Sequence, residues 1–202
     1  MEPEAIVVFL RLPRPGRVKT RIAATIGDAL ALEIYEDLLK STFRSLAQVP
    51  MPVFLFYEGG LPPISERDTR YTYHLQMEGT LDKKIAHALS SLLEKFNKVI
   101  IMGSDCPELT PPILLDSFHQ LDSSDVVIGP AKDGGFYLFG CQNLHPTLLD
   151  NINWSTSSVL TQLLINIQRA ELTYALLEKL SDIDTEEDWK AFSKRKTKSG
   201  RE

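Results

Sequence analysis

Short apolar segments rich in β-branched residues alternate along the chain with longer segments in which apolar residues recur at helical spacing. The apolar segments include AIVVFLRL from Ala5, KVIIM from Lys98 and DVVIG from Asp125. From Ile26 to Leu46 an apolar residue or a threonine recurs every four positions, which is typical of an amphipathic helix. This alternation predicts an α/β fold with a mainly parallel central sheet that helices cover on both faces.

The size and charge of the chain limit the classes of protein to which it can belong. With 202 residues, 43% hydrophobic content and a net charge of -5, we expect a single domain over residues 1–202, with a charged tail from about residue 194 that frays. No apolar run reaches the roughly 18 residues of a membrane span, and the acidic N-terminus is unlike a signal peptide, so we expect a cytoplasmic protein. The acidic balance argues against a nucleic-acid partner, because nucleic-acid-binding domains usually carry a basic surface.

Three polar, glycine-bearing loops directly follow predicted strands. They are PRPGRVKTR from Pro13, GSDCPELTPP from Gly103 and PAKDGG from Pro130. Ligands of parallel sheets bind beyond the carboxyl ends of the strands, so we expect the three loops to form a site at one edge of the sheet.

The first of these loops is strongly basic. It contains Arg14, Arg17, Lys19 and Arg21, of which Arg14, Lys19 and Arg21 can neutralise phosphate oxygens, while Gly16 frees the backbone. The alternative for this loop is a solvated basic turn. Its position beside the loop that carries Asp105 favours a phosphate site.

Asp105 follows a buried strand and is a suitable ligand for Mg²⁺ or Mn²⁺, which prefer oxygen ligands and often keep substrate phosphates in their coordination shell. Asp105 fits a cap of the following turn equally well. Asp182 and Asp184 precede a predicted helix, where they either close on the metal or belong to a capping box with Thr185.

The remaining candidates carry weaker signals. Gly134 and Gly135 permit a close backbone approach, but they also suit a plain hairpin connection. The cysteines, Cys106 and Cys141, form no CxxC pair, and Cys106 has no histidine in a recognisable partner motif, so we expect packing rather than nucleophilic chemistry.

Taken in order, the motifs PRPGRVKTR, GSDCPELT, GPAKDGG, WST and DIDTEED resemble a known family over nearly the whole chain. The family consists of the glycosyltransferase-like proteins called radical-SAM/selenodomain-associated transferase 1, within the nucleotide-diphospho-sugar transferase superfamily. The resemblance implies a GT-A-type fold, which is a three-layer α/β sandwich. It also implies a metal-dependent transferase that uses a nucleotide-activated donor.

The resemblance further implies roles for individual residues. Asp105 would bind Mg²⁺ or Mn²⁺ with Asp182 or Asp184, and Asp105 and Asp133 would act in catalysis. The implied nucleotide-phosphate loop consists of Arg11, Arg14, Gly16, Lys19 and Arg21. The implied substrate-binding residues on the acceptor side are Gly134, Gly135, Trp154 and Ser155.

Three functions stay open at this point. The family name favours glycosyl transfer from a nucleotide sugar to an unknown acceptor. The first loop also resembles that of 2-phospholactate guanylyltransferases, so nucleotidyl transfer from a nucleoside triphosphate is the alternative. The segment GTLDKKI from Gly79 departs from the family's usual Gly-Asp-Leu-Gly-x-Arg-Met stretch at Asp82 and Lys84, and Phe136 replaces a commoner tyrosine. A catalytically inactive nucleotide-binding protein is therefore the third reading.

Overall fold

A computed structural model describes residues 3–199 of the chain. Within this range seven strands form one sheet: β1 (Glu4–Arg11), β2 (Val53–Glu58), β3 (Tyr71–Leu75), β4 (Lys98–Met102), β5 (Val126–Pro130), β6 (Phe136–Cys141) and β7 (Tyr174–Leu176). The same range contains six α-helices: α1 (Thr20–Ile26), α2 (Asp28–Leu46), α3 (Leu81–Leu93), α4 (Pro111–Gln120), α5 (Val159–Arg169) and α6 (Glu186–Ser199). A short 3-10 helix, Ile64–Glu66, precedes β3.

The sheet has the strand order β3-β2-β1-β4-β6-β5-β7. Strand β6 runs antiparallel to both of its neighbours, and every other neighbouring pair is parallel. The predicted mainly parallel sheet is therefore confirmed. The reversal has a local cause, because residues 131–135 between β5 and β6 are too few to form a crossover helix, so these two strands form a hairpin.

Helices cover both faces of the sheet because successive strand residues point to opposite faces. Ile6 and Val8 of β1 belong to an apolar cluster with residues of α2 and α4. Ala5 and Val7 of the same strand belong to a second cluster with residues of α3 and α5. The two clusters lie on opposite sides of the sheet and produce the expected three-layer α/β sandwich.

The basic loop leads into a helix that the sequence pattern did not predict. We expected helical structure from Ile26, but the structure contains two helices, α1 and α2, separated by Gly27 with a φ of 88°. Ile22 of α1 is fully buried in a third cluster with Ile34 of α2 and Ile183. Because Ile183 is distant in sequence, local periodicity gives no sign of this helix.

The C-terminal elements agree with the predicted types but differ in their bounds. The sequence pattern predicts a helix from Ser155 to Ile167 and a last strand within LTYALLEKL, whereas α5 begins at Val159 and β7 is only three residues long. The capping box of α6 is confirmed, since the Thr185 amide donates to Asp188 Oδ2 at 2.8 Å and the Asp188 amide donates to Thr185 Oγ1 at 3.2 Å. Helix α6 continues into the segment that we expected to fray, and residues 200–202 lie outside the described range.

None of the helices within residues 3–199 is both long enough and apolar enough to cross a membrane.

Candidate active site

A cleft of about 760 Å³ opens at the edge of the sheet where β1, β4 and β5 end and β6 begins. All three of the loops singled out in the sequence contribute to its lining, through residues such as Lys19, Asp105 and Asp133. This is the edge at which parallel sheets bind their ligands, as the sequence predicted.

Lys19 lies at the centre of the site. Its side chain is only 5% exposed, and its Nζ lies 2.8 Å from Asp105 Oδ1 and 3.2 Å from Asp184 Oδ1. The Lys19 backbone has the left-handed conformation, with a φ of 46°, directly before the first residue of α1. This conformation is uncommon for a non-glycine residue.

The environment of Lys19 keeps its amine charged. Burial alone would lower the pKa of Lys19, but the nearby carboxylates of Asp105 and Asp184 outweigh that effect and raise the pKa above its usual value. The buried ammonium is therefore a permanent positive charge beneath the cleft. The two carboxylates that surround it are about 40% exposed, so a ligand in the cleft can reach both groups.

The two candidate carboxylates of the DIDTEED segment, Asp182 and Asp184, have different environments. The Ile183 amide donates to the carbonyl oxygen of Asp105 at 2.9 Å, which places this segment beside the loop after β4. Asp184 lines the cleft and contacts Lys19, whereas Asp182 lies outside the lining. One oxygen of Asp182 is buried without a hydrogen-bond partner among the described residues.

The pKa of Asp182 is strongly shifted. Burial, together with the charges of Asp105, Asp133 and Asp184, raises it to about 7. Three neighbouring carboxylates therefore act on Asp182 in the same direction, and the charge of Lys19 offsets only part of their effect.

The other residues of the predicted phosphate loop divide into two groups. Arg11 and Arg21 line the cleft, and Arg21 Nη1 lies 3.6 Å from Asp184 Oδ2. Arg14 and Gly16 do not belong to the lining, and their neighbours are Gly60 and Asp28, respectively. The structure therefore brings three of the five predicted residues to the cleft.

A second ion-pair group in the cleft was not predicted as part of the site. Glu58 Oε2 lies 2.6 Å from Arg11 Nε, and Glu58 Oε1 lies 2.7 Å from Lys84 Nζ. The hydrogen bond from Lys84, supported by the charge of Arg11, holds the pKa of Glu58 below its usual value. Lys84 stands at one of the positions where the sequence departs from the resembled family, and the structure gives this lysine a partner within the cleft.

Tyr35 fixes the end of β1 against α2. Its hydroxyl donates to the carbonyl oxygen of Arg11 at 3.0 Å and accepts from the Arg11 amide at 2.8 Å. Tyr35 is not among the residues that the sequence predicts for the site, because its bonds to Arg11 join residues 24 positions apart, which no local motif indicates.

The PAKDGG loop forms a tight turn that contacts the WST segment. Asp133 Oδ1 accepts a hydrogen bond from the Gly135 amide at 2.8 Å, so one of its oxygens stabilises its own turn. Gly134 has a φ of 94°, and a Cβ at this position would lie 2.2 Å from the Ser157 carbonyl oxygen. Only glycine permits this approach, which places Asp133 and Gly135 in the same cleft as Trp154 and Ser155.

Cys106 is buried, and burial, followed by the charge of Asp182, raises the pKa of its thiol well above the usual value. A thiol in this environment is a poor nucleophile. This agrees with the packing role that we expected from the sequence.

The site offers oxygen donors that suit a hard divalent cation. Asp105 and Asp184 already share one cationic partner, Lys19, and Asp182 keeps an unpartnered buried oxygen nearby. Within residues 3–199, however, no group of three or more His, Cys, Asp or Glu residues is arranged to hold a metal ion. Asp105 and Asp184 are thus two partly exposed oxygen donors of the kind that Mg²⁺ or Mn²⁺ prefers, and they do not complete a coordination shell by themselves.

Solved structures of nucleotide-using transferases share this fold. The chain is 27% identical to a protein from Desulfovibrio desulfuricans G20 that carries the provisional name nucleotide-diphospho-sugar transferase, with a TM-score of 0.84 over 92% of this chain and 84% of that chain. The inositol-1-phosphate CTP transferase of T. maritima matches with a TM-score of 0.59 and 16% identity, over 93% and 91% of the two chains.

A glycosyl-transferring enzyme also matches. Glucosyl-3-phosphoglycerate synthase from Mycobacterium tuberculosis, in complex with Mn²⁺, UDP and glucosyl-3-phosphoglycerate, has a TM-score of 0.55 and 11% identity, over 90% of this chain and 71% of that chain. At these low identities the CTP transferase and the synthase show only that the fold is shared.

No curated protein sequence matches the chain. A family model described as "Uncharacterized protein conserved in bacteria (DUF2064)" matches residues 42–156. This match spans more than half of the 202 residues, and the chain therefore belongs to the DUF2064 family.

Proposed function

We propose that the protein is a glycosyltransferase that binds a nucleotide sugar in the cleft above Lys19 and transfers its sugar to an acceptor hydroxyl. The observation that carries this proposal is the buried Lys19 ammonium, shared by Asp105 and Asp184 at the ligand-binding edge of the sheet. The likeness to a nucleotide-diphospho-sugar transferase over 92% of the chain supports it. We also retain the narrower likeness to the radical-SAM/selenodomain-associated transferase 1 family as part of this proposal.

The charged residues of the cleft would act on the donor's diphosphate. Arg11 and Arg21 are exposed and can donate paired hydrogen bonds to phosphate oxygens, and Lys19 supplies a fixed positive charge below them. Positive groups that are already in place when charge develops on a leaving group lower the barrier to its departure.

A divalent cation, Mg²⁺ or Mn²⁺, would be held by Asp105 and Asp184 together with phosphate oxygens of the donor. When bound, the ion would supply further positive charge to the diphosphate. Asp105 and Asp184 contact Lys19 in the free protein, so the lysine ammonium keeps the two carboxylates together at the place where the donor's phosphates would bind.

In glycosyl transfer, an acceptor hydroxyl oxygen forms a bond to the anomeric carbon of the sugar. The bond between that carbon and the diphosphate oxygen breaks, and the nucleoside diphosphate leaves with the bonding electron pair. We assign the hydroxyl proton to Asp133, because this carboxylate is exposed in the cleft and only Oδ1 is used by its own turn.

Nucleotidyl transfer is the second candidate. In that reaction an acceptor oxygen attacks the α-phosphorus of a nucleoside triphosphate and pyrophosphate leaves. The fold is compatible with it, because this chain shares its fold with the CTP transferase over 91% of that chain. The same residues would bind the phosphates in both reactions, so the geometry of the cleft alone does not choose between them.

The two reactions release different products, and ³¹P NMR distinguishes them. The full chain is incubated with Mg²⁺, a pool of sugars and either nucleotide sugars or nucleoside triphosphates. We expect release of a nucleoside diphosphate from a nucleotide sugar, and a rate lowered roughly 10²- to 10⁴-fold in Asp133→Asn, as is usual for loss of a general base.

Release of pyrophosphate from a triphosphate would instead establish nucleotidyl transfer. If nucleotides bind but neither product forms with any donor, the protein is an inactive nucleotide-binding relative and the proposed reaction is wrong. Asp37→Asn serves as the matched control, because Asp37 lies in an exposed ion pair with Lys40 on α2, outside the cleft lining.

A further inference from the structure

The lining of the cleft is divided by charge. Its lysine and arginine residues, Arg11, Lys19, Arg21 and Lys84, all come from β1, the basic loop with α1, and α3. Among the described lining residues between positions 133 and 159, there is no lysine, arginine or histidine. We call this second part the aromatic half, and it includes Asp133, Phe136, Trp154, Ser155, Thr156 and Ser157.

Two aromatic rings form the wall of the aromatic half. The rings of Phe136 and Trp154 meet edge to face, with centroids 6.1 Å apart and an interplanar angle of 76°. Trp154 is half-buried, so part of the indole is open to the cleft. An exposed aromatic surface in a cleft is suited to the apolar face of a ring-shaped ligand.

The backbone after Trp154 is held in an uncommon conformation. Ser155 has a φ of 63°, which non-glycine residues adopt only rarely. The following residues are fixed by Thr156, whose hydroxyl donates to the Asn153 carbonyl oxygen at 2.7 Å and lies 2.8 Å from Ser158 Oγ. The close contact between Gly134 and Ser157 fixes the same segment from the other side.

The polar groups of the aromatic half suit hydroxyl groups. Ser155 and Ser157 are exposed, and neither hydroxyl has a hydrogen-bond partner within the described part of the chain, so both can donate to and accept from a ligand. Asp133 adds a carboxylate, which accepts hydrogen bonds from hydroxyls but repels a phosphate. A phosphorylated ligand would find no cationic side chain in this half of the cleft.

From these contacts we propose that the acceptor is an uncharged polyhydroxylated ring, such as a sugar or cyclitol without phosphate, bound against Trp154. This inference rests on the proposed function only in giving the bound molecule the role of acceptor. The selectivity itself follows from the aromatic rings, the free serine hydroxyls and the absence of cations among the described lining residues of this half.

Ligand-observed NMR titration tests the selectivity with matched probe pairs. The pairs are glucose and glucose 6-phosphate, mannose and mannose 6-phosphate, and myo-inositol and inositol 1-phosphate. Each pair is measured with the free protein and with protein saturated by a nucleoside diphosphate and Mg²⁺, which should fill the part of the cleft that is lined by Arg11, Lys19, Arg21 and Lys84. We expect at least one neutral member to bind saturably and roughly tenfold more tightly than its phosphorylated partner in the saturated protein.

Variants separate this selectivity from a general effect on folding. Trp154→Leu should abolish binding of the neutral probe, whereas Trp154→Phe should retain most of it because an aromatic ring remains. Ser157→Arg adds one cation to the aromatic half and should shift the preference toward the phosphorylated member. Tighter binding of the phosphorylated member to the saturated wild-type protein, or no saturable binding of any neutral probe, would overturn the proposal.

Failure of the proposed function gives a different result. In that case nucleoside diphosphates do not bind, but the free protein still prefers the neutral member of a probe pair. Failure of the acceptor inference leaves nucleotide binding intact and removes the preference.

Discussion

Lys19 joins parts of the chain that are far apart in sequence. Its Nζ contacts Asp105 in the loop after β4 and Asp184, which lies 165 positions away, before α6. Both carboxylates are partly exposed. If one of them pairs with a ligand cation instead, the buried Lys19 ammonium still has the other carboxylate as its partner. At the scale of single residues, the site is therefore a preformed set of charges, which under the proposed function a nucleotide with its metal would rearrange.

Asp182 makes the stability of the protein depend on pH in an unusual direction. Its pKa is about 7 in the folded protein, compared with 3.8 as its ordinary value. Between these values the native state holds a proton that the unfolded chain has released, so stability falls as the pH rises. The stabilisation is fully present below about pH 4 and is lost as the pH passes through 7.

We expect Asp182→Asn to remove this part of the pH dependence. With about 1.4 kcal/mol for each pK unit, the wild-type protein should lose as much as about 3 kcal/mol relative to the variant between pH 5 and pH 8. Urea unfolding of both proteins at the two pH values, with EDTA present, measures the difference. Equal pH dependence in the two proteins would show that the Asp182 carboxyl titrates normally.

At the scale of structural elements, the turn between β5 and β6 positions the aromatic half of the cleft. Its Gly134 carbonyl oxygen accepts a hydrogen bond from the Leu160 amide of α5 at 2.9 Å, and its missing side chain leaves room for Ser157. This one turn therefore positions Asp133 and also fixes the distance between itself and the WST segment.

Gly134→Ala should be more destabilising than alanine at another glycine of similar conformation. Gly59 is the matched control, because its φ is 84° but a Cβ there would meet nothing within 4 Å. Gly59→Ala should cost about 1–2 kcal/mol for the left-handed backbone, and Gly134→Ala roughly 1–3 kcal/mol more for the clash with Ser157. Urea unfolding decides, and equal losses would mean that the turn and the WST segment are not in close contact.

The start of α6 supports the segment that carries Asp184. The Thr185 hydroxyl donates to Asp188 Oδ2 at 2.8 Å, in addition to the two backbone bonds of the capping box. Thr185→Ala should lower stability by about 1 kcal/mol, or roughly 2–4 °C in Tm, whereas Thr185→Ser should stay within a few tenths of a kcal/mol of wild type. Calorimetry of the three proteins checks this, and an equal loss in both variants would argue against the cap.

At the scale of the whole molecule, the sequence predicts the layers better than the site. Short apolar runs rich in β-branched residues, such as VIIM within KVIIM, are typical of buried strands, and their alternation with amphipathic helices predicts the layers of the sandwich. The burial of Ile22 depends on packing against residues that include Ile183, which no local window contains.

The site, like the fold, has some features that local sequence predicts and others that depend on distant contacts. The loops after β1, β4 and β5 follow from the rule on strand ends, and they supply Lys19, Asp105 and Asp133. The ion pairs that join Lys19 to Asp184, and Glu58 to both Arg11 and Lys84, connect distant segments and become visible only in three dimensions.

The central claim is that the cleft above Lys19 binds a nucleotide together with a divalent cation. The most direct test is the Tm of the wild-type protein and of Asp105→Asn with nucleotide sugars and nucleoside triphosphates, each with Mg²⁺ and with EDTA. A ligand at 100 times its Kd adds about 2.7 kcal/mol, which for a domain of this size raises Tm by roughly 5–11 °C. We predict such a rise for one class of nucleotide, dependent on Mg²⁺ in the wild type and lost in Asp105→Asn. An unchanged Tm with every nucleotide, or an equal rise in the variant, would contradict it.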